Sequence, residues 1–394
     1  MAAPIGAIAV SARSLAPDLA RGAMLLLIAL ANVYSYLYDR PIGVRGYPIP
    51  KSIAEQVVVL LQMTFVDGRA YPMFALLFGY GIVQLWRRQT GNGVNEIAVR
   101  EIVRRRGWWM ILLGFLHALL LFSGDIIGAY GLLAVALAGM LIRASDWKLL
   151  IMAGMWTVPI VVLGALQALP VPEGSESVMP SMSVTNPLAA AGLRAIEWIG
   201  LTVIPSAVSL VPALLLGVWA ARRRMLDEPQ QHRPLLIRVA VLGVGLAAVG
   251  GFPMALMAAS WWPDPSGAAT ALAGVAHALT GFAGGAGYAA VAGLVAIRVR
   301  NGDRGGDRPG PVVTALAACG QRSMTCYLLQ SVVFVAVLAA YGGGLGNRLG
   351  LATAAVLATV TWALTVLLAD GMSRRGYRGP AEVLLRRLTY GRSP

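Results

Sequence analysis

Long apolar stretches alternate along this chain with short clusters of charge, and that rhythm predicts the elements before any single residue does. Ten stretches approach the twenty or so apolar residues that a membrane-crossing helix needs: 20–38, 70–86, 107–123, 126–142, 149–169, 196–220, 235–258, 270–297, 312–340 and 350–370. A shorter one, "KSIAEQVVVLLQMTF" (51–65), carries Lys51, Glu55 and Gln56 and reads as an interfacial or re-entrant helix. The expected fold class is all-α: a polytopic bundle of about ten transmembrane helices plus that extra helix. Pro205 and Pro212 interrupt the sixth stretch and should kink it, since each removes a backbone N–H and crowds the preceding turn.

Composition sharpens the picture. Of 394 residues, 57% are hydrophobic and 13% charged, and mean hydropathy is +0.69; a soluble domain carries about a quarter charged residues. The net charge of +14 would suit nucleic acid. The basic residues, however, cluster between apolar stretches, at Arg87 to Arg106, Arg143 and Lys148, Arg222 to Arg238, Arg298 to Arg308, and Arg374 to Arg392. Their alternation with poorly basic loops is the positive-inside pattern, so membrane lipid is the expected partner and nucleic acid is not. Both termini then face the cytoplasm.

The connections are too short to hold a soluble domain, so residues 1–394 read as a single transmembrane domain. The longest outer connection, "VPEGSESVMPSMSVTNP" (171–187), is acidic and rich in Ser and Pro, and "IGAIAV" near the start is too short for a signal-peptide core. Glycine clusters such as "GFAGGAGYAAVAG" (281–293) suit close helix contacts. Cys319 and Cys326 fall seven apart in one expected helix, their Cα atoms about 10 Å apart, beyond disulfide reach.

Candidate chemistry lies in the polar residues that a membrane should exclude. An ionisable group at mid-membrane costs a few kcal/mol, so each is a functional candidate by default. His117 sits mid-membrane or slightly outward in its span, and Asp125 follows at the turn "SGD". A histidine beside a carboxylate suits general-base work, because the carboxylate fixes the imidazole tautomer. The bland alternatives are a helix-helix hydrogen bond for His117 and an N-cap for Asp125. His277 falls in the outer half of the eighth span, but no ligand-spaced cluster accompanies these histidines, so no metal site is expected. Asp67 and Arg69 stand at the outer mouth of the second span; Asp18, Arg21 and Asn32 belong to the first, Arg322 and Gln330 to the ninth. Asp18 and Arg21, spaced i, i+3, can pair on one helix face, and capping or snorkelling would also account for them.

Five segments in order, "PDLARGAMLLLIALAN" (17–32), "FALLFGYGI" (74–82), "RRRGWWMILLGFLHALLLFSGDIIGAYGLL" (104–133), "ACGQRSMTCYLLQSVVF" (318–334) and "GPAEVLLRRLTYGR" (379–392), resemble the YeiB-like family, domain-of-unknown-function family 418. Where that family usually has Gly-Arg and then Thr-Asn-Tyr before Leu-Leu-Gln-Ser, this chain reads "GQRSMTCYLLQS": Gln321 intrudes and Cys326 replaces Asn, while Arg322, Tyr327 and Gln330 remain. The resemblance implies a multi-pass protein of the bacterial cytoplasmic membrane with remote kinship to transmembrane acyltransferases. Those enzymes move an acyl group from a cytoplasmic donor such as acyl-CoA to an envelope sugar, lipid or small-molecule acceptor, using an intramembrane histidine. It implies His117 as base or acyl carrier with Asp125 orienting it. The donor would be held by Asp18, Arg21, Arg104, Arg105, Arg106 and Arg322, and the acceptor by Asp67, Arg69, His277, Asn32, Gln330 and Tyr327. No permanently bound cofactor is expected; acyl-CoA is the implied co-substrate, and a homo-oligomer is compatible with this reading. The alternative is a small-molecule or lipid transporter using the same polar path.

Overall fold

The computed structural model describes residues 14–169, 174–302 and 310–391, so "IGAIAV" and residues 171–173 of the long connection lie outside the described residues. Among the described residues every regular element is helical, with one isolated bridge between Ile42 and Pro48. In chain order the helices are α1 (Leu15–Val33), α2 (Ile53–Phe65), α3 (Ala70–Gly91), α4 (Glu96–Leu120), α5 (Ile127–Arg143), α6 (Asp146–Met155), α7 (Thr157–Ala168) and α8 (Pro187–Glu197). They continue as α9 (Val203–Arg222), α10 (Arg233–Ala258), α11 (Gly267–Gly302), α12 (Pro311–Gln321), α13 (Ser323–Leu338), α14 (Leu351–Arg374) and α15 (Pro380–Tyr390).

This is a multi-pass membrane protein, in which the ten spans of the sequence pattern are not all confirmed. Among the described residues six stretches are long and apolar enough to cross: Leu15–Tyr36, Asp146–Ala168, Val203–Arg222, Arg233–Ala258, Gly267–Arg300 and Leu351–Arg374. The stretch 312–340 makes a seventh only if α12 and α13, bent by 86° at Arg322, count as one. The other three expected spans fall short. Helix α5 has 17 residues, about 25 Å of helix against a hydrocarbon core of about 30 Å. The first half of α4 carries Glu96, Arg100, Glu101 and Arg104 to Arg106, and α3 ends in Trp86, Arg87, Arg88 and Gln89. Their polar ends prolong α3 and α4 beyond the apolar stretches that the sequence marks.

The sixth stretch breaks at one place. A wide π-turn, Trp198–Thr202, separates α8 from α9 just ahead of Pro205, which has no N–H to offer the carbonyl four residues back. Pro212 lies inside a continuous α9, so the interruption belongs to the turn before Pro205.

Helix α2 answers to its polar start. Ser52 accepts from Glu55 N–H while the Glu55 carboxylate accepts from Lys51 and Leu351 N–H, a capping box that also ties α2 to α14. With 13 residues it spans about 20 Å, too short to cross. It leaves a stripe of Ile53, Val57, Leu61 and Phe65 exposed.

The bundle carries its polar residues inside and its apolar residues outside, as lipid solvent demands. Val241, Val249 and Phe252 of α10 and Val356, Leu364 and Leu367 of α14 are exposed, whereas Asp18, Asn32, Asp67, Arg69, His117, Asp125, His277 and Gln330 are buried. Small residues set the spacing. A Cβ on Gly320 of α12 would overlap the Asp18 carbonyl of α1, and one on Gly22 would overlap the Leu316 carbonyl, so these helices touch through backbone. On α4, a Cβ at Gly114 would overlap the Gly128 amide and the Asp125 carboxylate. That glycine, one turn before His117, makes room for the acid.

The bend at Arg322 corrects the expectation of one straight helix holding both cysteines. Cys319 ends up against Cys326 across the break, both free and buried. The closing "GPAE" motif builds this bend: Glu382 accepts from the N–H groups of Met324 and Thr325 and from the Thr325 hydroxyl, a carboxylate at the positive end of α13.

Candidate functional site

The "SGD" turn between α4 and α5 folds Asp125 back onto the last turns of α4, where it meets His117. The contact is direct, Nδ1 to Oδ1 at 2.9 Å. The other carboxylate oxygen accepts from the Gly128 amide at 2.7 Å, so Asp125 caps α5 while it holds the imidazole. On its far side His117 Nε2 lies 2.9 Å from the Ser331 hydroxyl of α13. All three residues are buried. Asp125, His117 and Ser331 therefore form a line of acid, imidazole and hydroxyl across three helices.

Aromatic rings close around that line. The Tyr327 ring, one turn before Ser331 on α13, lies 5.0 Å from the His117 ring. Tyr36 stacks on Phe122 at 4.8 Å and meets Phe334 edge-on at 5.5 Å. The Tyr327 hydroxyl and both ends of the Gln330 amide are buried with no hydrogen bond among the described residues, and the Tyr36 side chain interacts with Ser331. Buried polar groups nearly always find a partner, so the Tyr327 hydroxyl, on the ring beside His117, is available to a polar group that enters there.

A second buried cluster gathers Asp67, Arg69 and His277, joined by Arg45 from the loop after α1. Arg45 Nε pairs with Asp67 Oδ2, and His277 Nε2 lies 3.4 Å from the same oxygen. Arg69 donates to the Asp67 carbonyl and, at 2.6 Å, to the Ala247 carbonyl, and its Nη1 lies 3.0 Å from the His277 ring nitrogens. Burial alone would raise the Asp67 carboxyl; Arg45 first, then His277, outweigh it and hold the group below the usual carboxylate range. Arg45 sits at φ 58°, a left-handed conformation that a non-glycine residue adopts only under constraint. No hydrogen bond joins this cluster to the triad among the described residues, so the two are neighbouring polar centres. Between them stands Tyr71, whose hydroxyl donates to Asn32 at 2.6 Å and which interacts electrostatically with both Asp67 and Tyr327.

The basic end is organised differently. Arg21 pairs with Asp18 at 3.2 Å and donates to the Leu77 carbonyl. Arg322 spends its guanidinium on the carbonyls of Tyr377 and Ala318, bracing the α12–α13 bend. The α1–α12 contact at Gly320 brings Asp18 to the helix that ends just before Arg322. Arg104 and Arg105 are exposed on α4 and Arg106 is half-buried. A recess of about 550 Å³ opens between Trp86, Arg87, Glu96, Arg143 and Arg222, but it starts 21 residues before His117 on α4, about 31 Å of helix away. It belongs to a different part of the molecule.

Comparison with known proteins gives a family without an activity. Residues 220–392 match the family described as "Protein of unknown function (DUF418)". That segment is therefore similar to the DUF418 family. It is also 25% identical over 412 residues to the "Uncharacterized protein YxaH" of Bacillus subtilis (strain 168), an alignment covering 95% of this chain and 93% of that one. The DUF418 segment contains His277, Arg322, Ser331 and Glu382; His117 and Asp125 come from the chain before it. The triad therefore joins the two parts of the sequence.

Sequence reasoning missed four participants. Ser331 follows Gln330 directly and stands one turn after Tyr327, so it was legible as a member of that helix face. Glu197, which accepts from the Ser123 hydroxyl, and Arg194, which donates to the Leu119 carbonyl two residues after His117, are ionisable residues at the start of an apolar stretch, the same signal that picked out His117. Arg45 gave no signal, since it lies in an irregular loop and reaches Asp67 only through tertiary folding.

Proposed function

We propose that this protein is a membrane-embedded acyltransferase of the bacterial cytoplasmic membrane, with His117 as its proton-transferring group and Asp125 as the residue that orients it. One observation carries the reading: a buried imidazole held by a carboxylate at 2.9 Å on one nitrogen and presented to a hydroxyl at 2.9 Å on the other. Base, orienter and hydroxyl within hydrogen-bond reach are the parts that acyl transfer needs. A helix-helix hydrogen bond would require only one of those contacts.

The donor enters from the basic end in this reading. Arg322 begins α13 and Ser331 stands nine residues on, about 13 Å along the helix, so a linear acyl-carrying arm anchored near Asp18, Arg21 and Arg322 would reach the triad. Guanidinium groups suit the phosphates of a nucleotide-linked donor such as acyl-CoA. The acceptor, an envelope sugar, lipid or small molecule, would approach from the side of Asp67, Arg69, His277 and Arg45.

The broken helix at Arg322 favours a second reading, since discontinuous helices line the substrate sites of transporters. Reconstituted protein given labelled acyl-CoA and a cell-envelope extract separates the two. Label transfer with release of free thiol supports the enzyme. Absence of both, with dissipation of a solute gradient in the same vesicles, supports the transporter.

A further inference from the structure

We infer that Ser331 is a covalent nucleophile and that the acyl group rests on its oxygen between donor and acceptor. This rests on the acyltransferase reading but goes beyond it, since a histidine base alone would serve direct transfer in which Ser331 has no chemical part.

Hydrogen-bond polarity makes the case. The Asp125 carboxylate accepts from the Gly128 amide on one oxygen and faces His117 Nδ1 with the other. Ionised, it can only accept, so Nδ1 carries the imidazole proton and Nε2 is left with its lone pair. Ser331 must then donate to Nε2, which is the polarity of a hydroxyl about to lose its proton. A membrane serine normally satisfies itself on the carbonyl one turn back. Here Ser331 keeps only a long hydrogen bond to that carbonyl, Tyr327 O, at 3.4 Å, and the imidazole is nearer at 2.9 Å. Two donors for a developing oxyanion are at hand: the Tyr327 hydroxyl, one turn back on the same helix, and Tyr36, which interacts with Ser331. Both are buried, and the Tyr327 hydroxyl has no hydrogen bond among the described residues.

The steps balance. Ser331 Oγ bonds to the carbonyl carbon of an acyl thioester and passes its proton to His117 Nε2. The C–S bond breaks and the thiol leaves with that proton. An acceptor hydroxyl or amine then attacks the serine ester and gives its proton to His117. The C–O bond to Ser331 breaks, and the serine takes the proton back. Asp125 holds the imidazole throughout and is not protonated.

Two reagents test this on the purified full-length chain. A small alkyl fluorophosphonate, which needs no acyl-transfer activity, should leave an adduct mapped by mass spectrometry to Ser331, formed about 10²-fold more slowly in His117→Ala. With a labelled short-chain acyl thioester, Ser331→Cys should trap the acyl group as a thioester that neutral hydroxylamine removes. Ser331→Ala should pass no label to acceptor while keeping its melting temperature. The proposal is overturned if Ser331→Ala transfers acyl groups within about threefold of wild type, or if neither reagent modifies position 331 in wild type and Ser331→Cys. A phosphonate adduct on Ser331 in a wild type that moves no acyl label would leave the nucleophile standing and remove the acyltransferase reading.

Discussion

Glu197 accepts a hydrogen bond from the Ser123 hydroxyl at 2.5 Å, although 74 residues separate them. The same carboxylate accepts from the Ser181 amide at 2.9 Å and its hydroxyl at 2.7 Å, tying the segment around Ser181 to the end of α8. Ser123 stands two residues before Asp125 in the "SGD" turn. Glu197 therefore fixes the turn that presents the acid of the triad, acting through it without touching the imidazole.

Glu197→Gln keeps the shape and loses the charge. Hydrogen bonds to a charged group contribute about 1.5–3 kcal/mol, so the variant should melt several degrees lower and, on the proposed acyltransferase reading, turn over more slowly with an unchanged KM. Scanning fluorimetry and steady-state kinetics on one preparation check it. An unchanged kcat with a lowered melting temperature would confine Glu197 to stability.

The backbone contact between α1 and α12 predicts a sharp contrast between two glycines. Gly320→Ala forces a Cβ into the Asp18 carbonyl, and overpacking of this kind costs about 1–3 kcal/mol. Gly192→Ala on α8 meets nothing within 4 Å and should stay within about 0.5 kcal/mol of wild type. The monodisperse fraction after detergent extraction should fall for the first and hold for the second.

Asp67 lies in the turn before α3, its carboxyl held below the usual range chiefly by Arg45 against the opposing effect of burial. A carboxylate depressed on folding stabilises fully above its unfolded value, about 3.9, and loses that contribution only as pH falls toward the folded value. The destabilisation by Asp67→Asn should accordingly be the same at pH 6 and pH 8 and shrink only in strong acid. Melting temperatures of both proteins across that range measure it, and a difference that changes between pH 6 and 8 would contradict the ion pair.

The sequence made the membrane class and the candidate site legible for the same physical reason: in lipid, a buried ionisable residue stands out against an apolar background. His117, Asp125, Asp67, Arg69 and His277 were all found that way. Span number was less legible, because α3, α4 and α5 mix polar ends or short length with apolar middles. Arg322 read as a donor-site cation; its guanidinium also braces a bend that no periodicity could reveal. Ser331 escaped because a membrane serine is ordinary until a base points at it.

The measurement that bears most directly on this account is the turnover of His117→Ala beside its melting temperature. A general base contributes about 10²- to 10⁴-fold in rate, whereas a neutral helix-helix hydrogen bond in a membrane averages about 0.6 kcal/mol. The account predicts acyl transfer reduced at least 10²-fold with melting shifted by no more than a few degrees. Turnover within about threefold of wild type, or a loss of rate that merely tracks a loss of folded protein, would contradict it.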